Sequence, residues 1–295
     1  MVRAERIAVG SIGIGCFVLA LKTAAWWLTG STALLSDALE STVNVAASAI
    51  AFLALRFALK PADENHLYGH DKAEFFAAVV EGVLIVLAAL LIFEQAWTAW
   101  QHPRLLAMAW QGILLNLIAT VANGGWAALL LRTGRRAHSA ALVADGRHLL
   151  ADVATSVGVT IGFAAAAFSG IHLLDPLVAA LTAVHVLWSG MSVISGSIGG
   201  LMDAAPGPDI VERVHALVSE HAAGAIEAHD LRMRHAGRLN FLEFHLVVPG
   251  AMTVAAAHEI CDRIEAALKT ELHGMVITIH VEPEVKAKHE GVLVS

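Results

Sequence analysis

Long apolar runs separated by short polar stretches occupy residues 6–28, 33–58, 74–100, 107–131, 141–168 and 174–199. Crossing a hydrocarbon core of about 30 Å takes roughly 20 apolar residues of helix, so each run predicts a membrane span. After Gly200 the pattern changes: LMDAAPGPD reads as a linker into a water-soluble tail. In the tail, residues 208–223 and 253–272 space their apolar positions as helices do. IEAHDLRMRHA, LNFLEFHLVV and GMVITIHVEP instead alternate, as half-buried strands do. The expected architecture is a six-helix transmembrane domain over residues 1–203. A C-terminal cytoplasmic α+β domain of ferredoxin-like type, residues 204–295, follows it.

Composition agrees, with 57% hydrophobic residues, 15% charged and a mean hydropathy of +0.66. The first run, preceded by Arg3 and Arg6, is too long for the core of a signal peptide and reads as a retained span. Arg56, Lys60 and Lys72, then Arg132, Arg135 and Arg136, gather with Arg3 and Arg6 at one set of span ends, whereas the opposite ends carry little beyond Arg104. The positive-inside bias therefore predicts that both termini lie in the cytoplasm. A net charge of −7 without a basic run argues against a nucleic-acid partner. Cys16 and Cys261, far apart and outside any CxxC, predict neither a disulfide framework nor a thiolate zinc site.

Carboxylates at mid-bilayer cost at least about 2.5 kcal/mol each, so those in SDALESTVN and ADGRHLLAD call for a reason. Glu40 and Asn44 lie four apart in the second span, as do His148 and Asp152 in the fifth, so each pair shares a helix face. Together they offer two carboxylates, an imidazole and an amide oxygen, a set suited to a tetrahedral divalent cation whose charge the two acids would balance. Asp37 and Asp145 each precede such a pair by three residues. The plain structural reading is that these groups pair with one another or with backbone and fix helix packing. GVTIG, residues 158–162, reads as a close-packing motif, His185 as a satisfied interior histidine, and Lys22 as a side chain that snorkels.

In the polar loop KPADENHLYGHDKAE, Asp63, His66 and His70 form a candidate metal site against the alternative of a solvated face. The tail adds His229, His245, His258, His280 and Glu282; His280 and Glu282 share a strand face because strand side chains alternate.

Taken together, these residues resemble the cation diffusion facilitator family, in particular its bacterial zinc and iron exporters. PADENHLYGHDKAE carries the likeness most specifically, supported by HLLAD, LMDAAP, HDLRMR and ITIHVEP. The resemblance implies a homodimer of the plasma (bacterial inner) membrane that exchanges a divalent cation for protons. It implies a transport site of Glu40, Asn44, His148 and Asp152, a loop site of Asp63, His66 and His70, and a tail site drawn from His229, His245, His258, His280 and Glu282. Lys72 and Asp203 match a charged pair that interlocks the two protomers. One departure stands out, since the similar exporters carry aspartate at both second-span positions, where this chain has Glu40 and Asn44. A second register, with Asp37 and Ser41 as ligands, keeps the same spacing.

Zinc is the first expectation for the substrate, as histidine is retained, with ferrous iron, manganese, cobalt and cadmium behind it. Metal would serve as both substrate and regulator, with protons as the counter-ion competing for His148 and the carboxylates. Asp37 is expected to line the cytoplasmic approach. HExxH and GxSxG are absent, which argues against an enzyme. A membrane metal sensor of the same fold that does not transport is the alternative.

Overall fold

Six helices in the computed structural model are long and apolar enough to cross a membrane. They are α1 (Val2–Thr29), α2 (Thr32–Ala58), α3 (Ala73–Gln101), α4 (Ala109–Arg136), α5 (Ala140–Ser169) and α6 (Leu174–Leu201). The structure describes residues 2–102, 106, 108–136, 140–237, 239–288 and 292–293, with side chains of residues in helices and strands from Gly10 onward, except 134, 136, 140–145 and 292–293. The chain divides into two compact units, Met1–Ala54 with Ala77–Ser195, and Leu55–Phe76 with Gly196–Ser295.

In the first unit, α1 stops where Gly30 adopts a left-handed φ of 68°, open to glycine without a steric cost. α2 begins two residues later. Its first amides would be orphaned in an apolar medium, and Asp175 at the start of α6 accepts from Thr32 N at 2.6 Å and Ala33 N at 3.4 Å, while Ser31 Oγ donates to the same carboxylate. Buried intramembrane charge is thus consumed as a helix cap. α4 packs along both α1 and α5. α3 and α6 approach at Gly82 and Gly190, where an added Cβ on either would lie 3.1 Å from the other's carbonyl oxygen. The GVTIG motif is tight at only one of its glycines: Gly162 faces Val178, whereas nothing lies within 4 Å of a Cβ on Gly158. His185 is not interior but exposed on α6.

The second unit carries the tail. Its elements are α7 (Pro208–His221), β1 (Glu227–Ala236), β2 (Leu239–Val248), α8 (Val254–Glu271), β3 (Met275–Pro283) and a short β4 (Val292–Leu293), which the alternation pattern does not foreshadow. The sheet order is β3-β2-β1-β4, with β1 antiparallel to β2 and β4, and β2 parallel to β3 across the α8 crossover. Val214, Leu217 and Val218 of α7 and Ile260, Ile264 and Leu268 of α8 bury against Leu242, Phe244 and Leu246 of β2. α7 starts with Pro at its first position, and Thr253 Oγ1 caps α8 by accepting from Ala256 N at 3.2 Å.

Candidate functional site

Three clusters of coordinating side chains stand out, each set by a different periodicity. The first is intramembrane. The i, i+4 rows of α2 and α5 face each other, so that Asn44 Nδ2 donates to Asp152 Oδ2 at 2.7 Å. His148 Nε2 lies 3.9 Å from the same oxygen, too far for a hydrogen bond. Glu40 Oε2 is buried and has no hydrogen-bond partner among the described residues. Two cavities meet this cluster. One, between α1, α2, α4 and α5, reaches Ser41, Asn44 and Asp152, and the other, bounded by α2, α3, α5 and α6, reaches Glu40, Asn44 and His148. Glu40, Asn44, His148 and Asp152 therefore line two cavities on either side of α2, with Asn44 common to both.

Asp37 does not line an approach. It is 1% exposed and bound to Lys22, which is 3% exposed; Lys22 therefore does not snorkel. α2 runs from Asp37 toward Glu40 and on to the polar loop, so Asp37 stands on the far side of Glu40 from that loop. Of the second register, Ser41 lines a cavity but Asp37 Oδ1 is already held by an ammonium. The side chain of Asp145 lies outside the described residues.

The second cluster is the loop. Asp63 Oδ1 accepts from His66 N at 2.7 Å and Asn65 N at 2.9 Å, and approaches His66 Nδ1 at 3.1 Å. Against a desolvation that would raise it, these backbone donors from His66 and Asn65 hold the Asp63 carboxyl below its ordinary range. Asp63 Oδ2 lies 3.4 Å from His70 Nε2. The ligand atoms of Asp63, His66 and His70 are all within 4.8 Å of one another, so the three fit a single cation. Beside the loop, Lys72 Nζ donates to Asp203 Oδ1 at 2.8 Å and Arg234 NH1 joins the same oxygen at 3.2 Å. The charge-assisted bond from Lys72 is the main reason that Asp203 titrates below its ordinary value.

The third cluster lies on the tail sheet. Register pairs His229 of β1 with His245 of β2, and His245 with His280 of β3, so three histidines stand abreast across three strands. Glu282, one pleat further, lies 3.3 Å from His229 Nε2, 3.5 Å from His245 Nδ1 and 3.7 Å from His280 Nε2. His258 is not among them: it stands on α8, with a side chain 74% exposed and Asp262 at 3.7 Å.

Asp230, which the strand pattern passes over, does belong here. Strict alternation would send it to the opposite face from His229, but the register slips between His229 and Arg232, and Asp230 takes a positive φ of 53°. Its carboxylate then falls within 4.8 Å of ligand nitrogens of His229 and His245, a set that fits a metal ion. Lys288 Nζ bonds it at 2.6 Å and is the main cause of its lowered pKa. Behind the cluster, Glu227 Oε1 pairs with His229 Nδ1 at 2.8 Å and accepts from Lys288 N at 2.6 Å. No spacing rule flags Glu227, because its role depends on which face of β1 is buried.

The family model for the cation efflux transmembrane domain matches residues 9–202, and that for the cation efflux protein cytoplasmic domain matches residues 206–284. The chain belongs to the cation diffusion facilitator family. Among its curated relatives, the uncharacterized transporter sll1263 of Synechocystis sp. is 41% identical over 280 residues, covering 95% of this chain and 90% of the relative. The cation-efflux pump FieF of Pectobacterium atrosepticum is 33% identical over 281 residues, covering 94% of this chain and 91% of that pump. Among solved structures, the zinc form of CzrB is 48% identical, covering 28% of this chain and 96% of its own, with a TM-score of 0.28. The metal-bound C-terminal domain of the CzcD transporter from Thermotoga maritima is 27% identical, covering 27% of this chain and 92% of its own, with a TM-score of 0.25. As a cation diffusion facilitator the chain is a multi-pass membrane transporter of cations and not an enzyme.

Proposed function

We propose that the chain exports a divalent transition metal, zinc first, from the cytoplasm in exchange for protons, using Glu40, Asn44, His148 and Asp152 as its transport site. Ferrous iron, manganese, cobalt and cadmium are the further candidates. The observation that carries this reading is the meeting of the α2 and α5 ligand rows, with Asn44 against Asp152, between two cavities. Each ligand must be deprotonated to hold the cation, so protons arriving from the other side compete for the imidazole and carboxylates and eject it. Rocking between inward- and outward-open forms gives each ion access in turn. Six spans and a cytoplasmic tail domain support placing both termini in the cytoplasm.

The loop and tail clusters are metal sites of a regulatory kind in this reading. Their donors, imidazoles with one or two carboxylates, suit the same class of ion as the transport site. The chain works as a homodimer through its cytoplasmic domain, with the Lys72–Asp203 pair bracing the contact. The test is uptake into proteoliposomes under an imposed pH gradient, comparing the five metals for wild type and Asp152→Ala. Gradient-dependent flux that the substitution abolishes is the expected result. A folded protein that binds metal at its tail yet moves none would refute export and leave the sensor of the same fold.

A further inference from the structure

Three helices meet in a closed triangle of hydrogen bonds beside the transport site. Lys22 Nζ of α1 donates to Asp37 Oδ1 at 2.7 Å and to Ser156 Oγ at 2.8 Å, and Ser156 Oγ donates to the same Asp37 oxygen at 2.8 Å. Asp37 lies one turn before Glu40 on α2, and Ser156 one turn after Asp152 on α5. All three side chains are buried, and among the described residues Asp37 Oδ2 has no hydrogen-bond partner. An ion pair this deep gains little over apolar side chains of the same volume, because desolvation of both charges offsets their attraction. Stability alone does not account for it. Its charges stand about one helical turn from Glu40, within reach of a cation held there, and Glu81 of α3 lies near His148.

We propose that Lys22 is a positioning and specificity residue that offsets negative charge beside the transport site, so that a divalent cation is held firmly enough to load and loosely enough to leave. The inference rests on reading Glu40, Asn44, His148 and Asp152 as that site. The carboxyl groups of Asp37, Glu40, Glu81 and Asp152 gather around the site, and the Lys22 ammonium is set against them. Without the ammonium one more negative charge is left uncompensated, so the ion is held more tightly and leaves more slowly. Without the Asp37 carboxylate one negative charge fewer faces the ion, and it is held more weakly.

The experiment measures zinc binding to the full chain in detergent and zinc flux in proteoliposomes for Lys22→Met, Asp37→Asn, the double variant and Lys22→Arg. Asp152→Ala identifies which part of the isotherm belongs to the transport site. Lys22→Met should lower both KM and the maximal rate, and Asp37→Asn should raise KM, each by roughly ten- to a hundredfold for a unit charge close to a divalent ion in a protein interior. The double variant should return KM to within about threefold of wild type, and Lys22→Arg should stay near it. Single changes acting in the same direction, or a double no better than the worse single, would overturn the proposal in favour of a mechanical clamp. If Lys22→Met does not fold, Asp37→Asn against the double decides: a double that fails to recover the lost affinity overturns it. Unchanged variants with binding lost only in Asp152→Ala refute the role of Lys22 and leave the site standing. Binding and flux that survive Asp152→Ala refute the site itself.

Discussion

Replacing Glu227 by alanine should weaken metal binding at the tail by ten- to a hundredfold without touching any proposed ligand. Glu227 is 1% exposed and holds His229 Nδ1 at 2.8 Å. That bond turns the other ring nitrogen, Nε2, toward Glu282 at 3.3 Å, where it is buried and makes no hydrogen bond among the described residues. The arrangement is that of a ligand whose tautomer and ring angle are preset, and loss of such an orienting carboxylate costs about 10–100-fold in metal affinity. The equivalent free energy is about 1.4–2.8 kcal/mol. The same change removes the acceptor for Lys288 N at 2.6 Å and so loosens the segment that carries the Lys288 ammonium to Asp230. Glu227→Gln keeps an acceptor oxygen but not its charge and should fall between wild type and alanine. The assay is zinc titration of the full chain in an Asp152→Ala, His66→Ala background, so that the tail dominates the isotherm, with His245→Ala as the control. An affinity within twofold of the parent for Glu227→Ala, alongside clear loss in the control, would refute the orienting role.

Two further outcomes follow from the same geometry. Asn44→Asp places a second carboxylate 2.7 Å from Asp152 Oδ2, so it should tighten zinc binding at the transport site by roughly tenfold and slow turnover, as read by KM and maximal flux in proteoliposomes. A raised KM would count against Asn44 as a ligand position. Lys72 and then Arg234 hold Asp203 below its ordinary value of 3.8, so the stabilisation from this cluster is complete above that value and disappears as pH falls through the lower folded one. Asp203→Asn should therefore lower the thermal midpoint at pH 7, with the difference from wild type vanishing in strong acid; a difference that persists at pH 2 would contradict this account.

The intramembrane cluster was legible because helix periodicity is local: Glu40 with Asn44, and His148 with Asp152, share faces whatever surrounds them. Which helix each face meets is not local, and that is where the reading of single residues failed. Lys22 looked able to snorkel because nothing near it in the chain is acidic, yet Asp37 fifteen residues away neutralises it across the α1–α2 turn. His185 looked interior because its neighbours are apolar, but in a membrane helix the lipid-facing side is apolar too. Strand alternation likewise placed His280 and Glu282 on one face, and missed Asp230 because a bulge breaks the alternation it relied on.

Length and hydropathy alone determined the number of spans and the change of architecture after Gly200, since a bilayer demands apolar helices of set length and a water-soluble sheet demands alternation. Local spacing also determined the ligand pairs on α2 and α5. Only the tertiary structure decided that Asn44 touches Asp152, that three histidines align across β1, β2 and β3, that His258 stands apart, that Lys22 pairs with Asp37 and that Glu227 pairs with His229. Those facts depend on helix rotation and strand register, which are set by packing between segments far apart in the chain.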